Sequence, residues 1–116
     1  MQIVETSQTT EDRTESRLSR LQRLIQIYET GQVSELMDRV VDKVLAQEEA
    51  ETRVAIQRLD DDIENYAGQY GMPSDNFYEQ FRAGKLGDTM DFVEWSSLIQ
   101  MREDLRQRLA VLAGNA

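Results

Sequence analysis

The chain has 116 residues, enough for one small domain with a modest core, and its 22 acidic and 13 basic side chains give a net charge of −9. It contains no cysteine and no histidine, which removes disulfides, thiolate nucleophiles, imidazole bases and ordinary zinc sites and argues against an enzyme. With no apolar run of about 18 residues for a membrane span, and a start, MQIVETSQTTEDRTES, that lacks the basic and apolar stretches of a signal peptide, the expectation is a cytoplasmic binding protein without cofactor or metal.

Residues 1–9 offer only Ile3 and Val4 to a core and read as a flexible N-terminal arm. From Thr10 to Thr30, Leu18, Leu21, Ile25 and Tyr28 recur at helical spacing, with Gly31 as the stop. A second helix begins at Ser34, read as its N-cap, with Met37, Val41 and Val44 on one face. From Ile56 the pattern resumes as Ile56, Leu59, Ile63, Tyr66 and Tyr70, whereas Gln47 to Arg53 is almost wholly polar. Carried back by sevens, the later stripe meets Glu49 and Thr52, so the seam changes face or the helix breaks near Glu48. Neither proline nor glycine interrupts Gln47 to Arg53, and its Gln, Glu and Ala residues favour helix. One continuous helix from Ser34 to Tyr70 would be about 55 Å long, against roughly 30 Å for a compact domain. Its stripe then asks for a second chain, and a homodimer is expected.

Asn65 to Trp95 holds seven of the eight aromatic residues, the only proline and four of the six glycines. Gly71 and Pro73 end the long helix, Ser74 caps a short one to Ala83, and Gly84 stops it. Asp91, with Glu94 three positions on, is read as the cap of the last helix. Trp95, Leu98, Leu105, Leu109 and Leu112 mark its seam, and Arg102 fills the missing position with a packed stem and a charge aimed at solvent or an acidic neighbour. The expected fold is all-α, an elongated helical hairpin or bundle with coiled-coil-like seams and a short aromatic-rich helix between two longer ones. Residues 10–64 form its dimerisation region and residues 65–116 its partner-binding region.

The stretch from Tyr70 to Trp95, YGMPSDNFYEQFRAGKLGDTMDFVEW, resembles a motif of small bacterial, especially cyanobacterial, and archaeal antitoxin-like proteins, close to YGMxSxxFYxxFxxGxLGDxxDFxEW. Lys85 stands where that pattern usually has an acid, and Pro73 where it often has serine. The resemblance continues more loosely to the end of the chain. It implies an antitoxin-like partner of a two-gene toxin–antitoxin module. Together with the acidic middle of the chain, which suits a basic protein partner, the expected function is neutralisation of a cognate toxin, such as a basic ribonuclease, by occlusion.

Residue chemistry gives that implication a candidate surface. Tyr78, Glu79, Asp88, Asp91, Glu94 and Trp95 supply an acidic rim around aromatic anchors, the arrangement expected for capturing a basic protein. The competing reading is structural: Tyr70, Phe77, Phe81, Phe92 and Trp95 form a core where three helix ends meet, and capping explains Asp91 and Glu94. A coiled-coil adaptor without a toxin is the second function considered. The third is DNA binding, because Arg13, Arg17, Arg20 and Arg23 precede a segment that resembles the two helices of ribbon–helix–helix antitoxins. Only Gln2 to Glu5 could supply the strand, however, and Glu11, Asp12 and Glu15 offset the arginines, so a solvated helix is favoured over DNA binding. Asp60, Asp61 and Asp62 point about 100° apart on a helix and cannot converge on one metal ion.

Overall fold

Four helices and no strand make up residues 10–116, the part of the chain that the computed structural model describes, with side chains from Asp12 onward. The N-terminal arm and the strand considered for Gln2 to Glu5 lie outside the described residues. The helices are α1 (Thr10–Glu29), α2 (Glu35–Tyr70), α3 (Ser74–Arg82) and α4 (Met90–Leu112). Among the described residues, no helix is long and apolar enough to cross a membrane. The all-α architecture expected from the apolar spacing is therefore the observed one, with a nine-residue aromatic helix between helices of 36 and 23 residues.

Local chemistry accounts for most helix ends. Ser34 caps α2 through its Oγ, which accepts from the Met37 backbone N–H at 3.1 Å. α2 then runs unbroken through the polar stretch Gln47 to Arg53. It closes at Gly71, whose φ of 62° is left-handed, and the Met72 N–H returns to the Ala67 carbonyl. α3 closes in the same way at Gly84, with φ 76° and Lys85 N–H bonded to the Gln80 carbonyl.

Two caps differ from the sequence reading. Pro73, not Ser74, occupies the N-cap position of α3, and it offers no side-chain cap. Ser74 is already helical, and its Oγ accepts the indole N–H of Trp95 at 3.1 Å. A buried indole must find an acceptor, and Ser74 is the one in reach. Likewise Thr89, not Asp91, caps α4: its extended backbone lets Oγ1 accept from the Phe92 N–H at 3.3 Å. Asp91 falls inside the first turn, and Glu94 is too far along to complete a capping box with Thr89.

Packing divides the described chain into two units, one ending at Val41 and the other running from Asp42 to Ala116. In the second unit Leu59, Ile63, Phe77, Trp95 and Ile99 form the buried core, and Phe77 and Trp95 are wholly enclosed. The two rings stack at 3.7 Å between centroids and 6° between planes, with Tyr66, Tyr70, Phe81 and Phe92 around them. Each such side chain stabilises by about 1.5–3 kcal/mol when fully buried. Leu59 and Ile63 of the 10–64 segment thus belong, by packing, with the aromatic end.

Cross-helix partners show that α2 and α4 run antiparallel within this unit: Glu48 meets Arg108, Asp60 meets Arg102, Tyr66 meets Trp95 and Tyr70 meets Phe92. Arg102 behaves as its seam position suggests. Its side chain is 15% exposed, and Nη1 donates to Asp60 Oδ1 at 3.0 Å. The buried line of α2 continues back from Leu59 to Thr52 rather than to Val44, which is exposed. Thr52 satisfies its hydroxyl on the Glu48 carbonyl at 2.7 Å. The seam changes character, and the helix does not break.

In the first unit α1 turns back at Gly31 into the first turns of α2, and Tyr28 Oη donates to Asp38 Oδ1 at 2.9 Å. No side chain described in this unit is fully buried; Ile27, Val33, Met37 and Val41 are half-buried. Leu18, Leu21, Leu24, Ile25, Tyr28, Leu36 and Val40 are 38–64% exposed.

Candidate partner-binding site

The candidate site is a cleft in the second unit between the last turns of α2 and the first turns of α4. Helical spacing brings Asp62, Tyr66 and Gln69 onto one stripe of α2, with Asn65 beside it, because residues three and four apart share a face. The same rule aligns Asp91 and Glu94 on α4. These six residues line a cleft of about 440 Å³. Among the described residues three carboxylates and no basic group face it, so its field favours a cation.

The floor of this cleft is fixed from below. Tyr66 stacks on Trp95 at 5.8 Å and 18°, and Tyr70 stacks on Trp95 at 5.9 Å. Tyr70 Oη donates to Asp91 Oδ2, and Gln69 Nε2 donates to the same oxygen at 3.4 Å. One carboxylate oxygen therefore ties α2 to α4. Burial, followed by the negative charges of Glu94 and Asp91, raises the Tyr66 phenol above its ordinary value. The hydrogen bond to Asp91, followed by burial, does the same for Tyr70. Both effects hold the phenols protonated as donors.

The six residues expected to bind a partner are not brought onto one face. Asp91, half-buried, and Glu94, exposed, share the cleft. Trp95 is wholly enclosed and acts as the cleft's support; no part of it is presented to solvent. Tyr78 lines a different depression, with Arg82, Gln100 and Arg106 among its walls. Its hydroxyl donates to Gln100 Oε1 at 2.8 Å, and the Arg82 guanidinium lies 5.6 Å from its ring centroid. Glu79 and Asp88 are exposed and line neither depression.

Asp62, Asn65, Tyr66 and Gln69 are the members that sequence reasoning did not assign to a site. Helix geometry excludes Asp62 from a metal cluster and spacing puts Tyr66 on the apolar seam, yet their four-residue separation is a usable signal. The neighbouring acids go elsewhere: Asp60 pairs with Arg102 and, at 3.9 Å, Arg106, while Asp61 accepts from Gln57 at 3.1 Å. In the first unit Arg13, Arg17, Arg20 and Arg23 are all exposed on α1.

No protein-family model, no curated protein and no solved structure matches this chain.

Proposed function

We propose that the chain is a cytoplasmic protein-binding module that neutralises a basic, toxin-like partner by occlusion, with no chemistry of its own. The observation that supports this reading is the acidic cleft of Asp62, Asp91 and Glu94, held by tyrosines over an enclosed aromatic stack. Acidic groups at a rim set the encounter rate with a basic protein, and a rigid aromatic floor limits the ordering cost of binding. Asp62 and Glu94 are the groups best placed to meet a cation, because both are exposed, Glu94 accepting one hydrogen bond from the Tyr66 phenol, while Asp91 is half-buried and engaged by both Tyr70 and Gln69.

The test is co-expression with the product of the adjacent reading frame, followed by affinity measurement across salt concentrations. Reversing Asp62 and Glu94 to lysine should weaken the complex at least tenfold and flatten its salt dependence while leaving helix content unchanged. Reversing Glu79 and Asp88 probes the wider acidic rim and should have the smaller effect. Unchanged affinity in both pairs would remove this surface from consideration.

A structural adaptor is the second reading, favoured by the exposed apolar side chains of α1. The DNA-binding reading keeps only the exposed arginines in its support. Replacing Arg13, Arg17, Arg20 and Arg23 by glutamine should leave partner neutralisation intact; loss of a tight, sequence-selective DNA complex in that variant would reverse the ranking.

A further inference from the structure

We infer that the apolar face of the first unit is a self-association surface, covered by the same face of a second copy of this chain. This inference is independent of the neutralising function proposed for the second unit.

The amount of surface is the first argument. Full burial of a large aliphatic side chain removes about 60–120 Å² of apolar area. The seven exposed apolar side chains from Leu18 to Val40, each roughly half exposed, therefore leave on the order of 200–400 Å² open. Homodimer interfaces are about 65% apolar, so this corresponds to about 300–650 Å² per copy, a range that spans the lower bound for a specific pair. The face is also shaped. Leu21, Leu24, Ile25, Tyr28 and Val41 line a groove of about 480 Å³ whose only charged wall among the described residues is Glu29. Leu36 is the most exposed of the seven, at 64%, and is the side chain suited to fill that groove from the other copy.

Charge selects the occupant. From Ser16 to Tyr28, α1 carries Arg17, Arg20 and Arg23 and no acid, whereas the first turns of α2 carry Glu35 and Asp38 against Arg39. Over the whole of α1 four arginines are balanced by Glu11, Asp12, Glu15 and Glu29, so the basic stretch is confined to its middle turns, and it is these that complement the acidic first turns of α2. In a two-fold pair each contact occurs twice. Setting α1 of one copy on α2 of the other places opposite charges together at both rims, whereas α1 on α1 would oppose arginines.

Sedimentation of the full chain at 10–100 µM, a range on the order of the dissociation constants of modest interfaces, should report about twice 13.4 kDa. Leu21→Glu with Ile25→Glu should weaken the dimer at least about 100-fold, while Trp95 fluorescence stays that of an enclosed indole. Val111→Glu, a change at an exposed residue of the second unit, should leave the dimer intact. Because the α1 double variant could also lose helix, a second pair uses exposed charges only. Arg17→Glu with Arg20→Glu should weaken association, and adding Glu35→Lys with Asp38→Lys should restore it. A monomer throughout the range, or a dimer indifferent to Leu21→Glu with Ile25→Glu, overturns the inference. A charge reversal without rescue overturns the pairing of α1 with α2.

Discussion

α1 and α4 are helices of similar length, 20 and 23 residues, and both carry leucines and isoleucine at helical spacing. In α4, Trp95 and Ile99 are buried, while in α1 Leu21 and Ile25 are more than half exposed. The difference lies in what faces each helix. α4 is met by α3 and the last turns of α2, which bring Phe77, Phe81, Tyr66 and Tyr70 to it, whereas the first unit has Tyr28 as its only aromatic residue. Periodic leucines make an apolar stripe, but closing a core this small takes rings that reach across three helix ends. The same contrast separates the surfaces: a second unit whose packed rings floor a shaped cleft, and a first unit whose apolar side chains stay exposed.

The largest expected effect is in the enclosed stack. Trp95→Ala should cost about 3–5 kcal/mol in denaturant unfolding followed by circular dichroism, because it leaves Phe77, Tyr66 and Tyr70 without their shared face. A loss below about 1 kcal/mol would show that the second unit does not depend on its rings. Matched truncations sharpen the contrast. Ile63→Ala, at a residue 2% exposed, should cost about 2–4 kcal/mol at any protein concentration. Leu21→Ala should act mainly through association, so its cost should shrink toward a few tenths of a kcal/mol on dilution. Concentration-independent losses of equal size at both sites would erase the distinction between the units.

Polar ties within the second unit rank next. Asp60→Ala leaves the half-buried Arg102 guanidinium without its carboxylate and should cost about 1–2 kcal/mol. The pH dependence follows from the phenols. Tyr66 and Tyr70 hold their protons more tightly in the folded chain than the ordinary value of 10.0. Their contribution is complete below that value and is lost as pH rises through the folded pKa values, since the unfolded chain releases those protons first. Stability should therefore fall above pH 10, and ultraviolet titration should find Tyr66 and Tyr70 ionising late. Asp91→Ala should bring Tyr70 forward more than Tyr66, because the hydrogen bond to Asp91 is the leading cause only for Tyr70. The smallest effect belongs to Glu48 and Arg108, both well exposed. A double-mutant cycle there should give about 0.2–1 kcal/mol, and a larger coupling would mean that α2 and α4 are held at their open end as firmly as at the aromatic end.

The four helices, the continuity of α2, the Ser34 cap, the glycine stops and the packed stem of Arg102 were all legible in the sequence, because each depends on residues within a few positions or on a repeated spacing. Helix propensity and left-handed closure are local, and a helix of 36 residues needs no distant partner to be read. The caps at Pro73 and Thr89 were misplaced by one and two residues, since Ser74 and Asp91 are also competent capping residues. What removed them from that duty was tertiary: Trp95, 21 residues from Ser74, needs an acceptor, and Asp91 binds Tyr70, 21 residues away. The acidic cleft follows the same logic. Its acids are visible in the sequence, but only the antiparallel packing of α2 and α4 sets Asp62 and Tyr66 opposite Asp91 and Glu94 while turning Tyr78 to another depression and enclosing Trp95. Periodicity fixes which residues share a helix face; which face meets which is fixed by contacts between residues 21 to 60 positions apart, and no local preference encodes those.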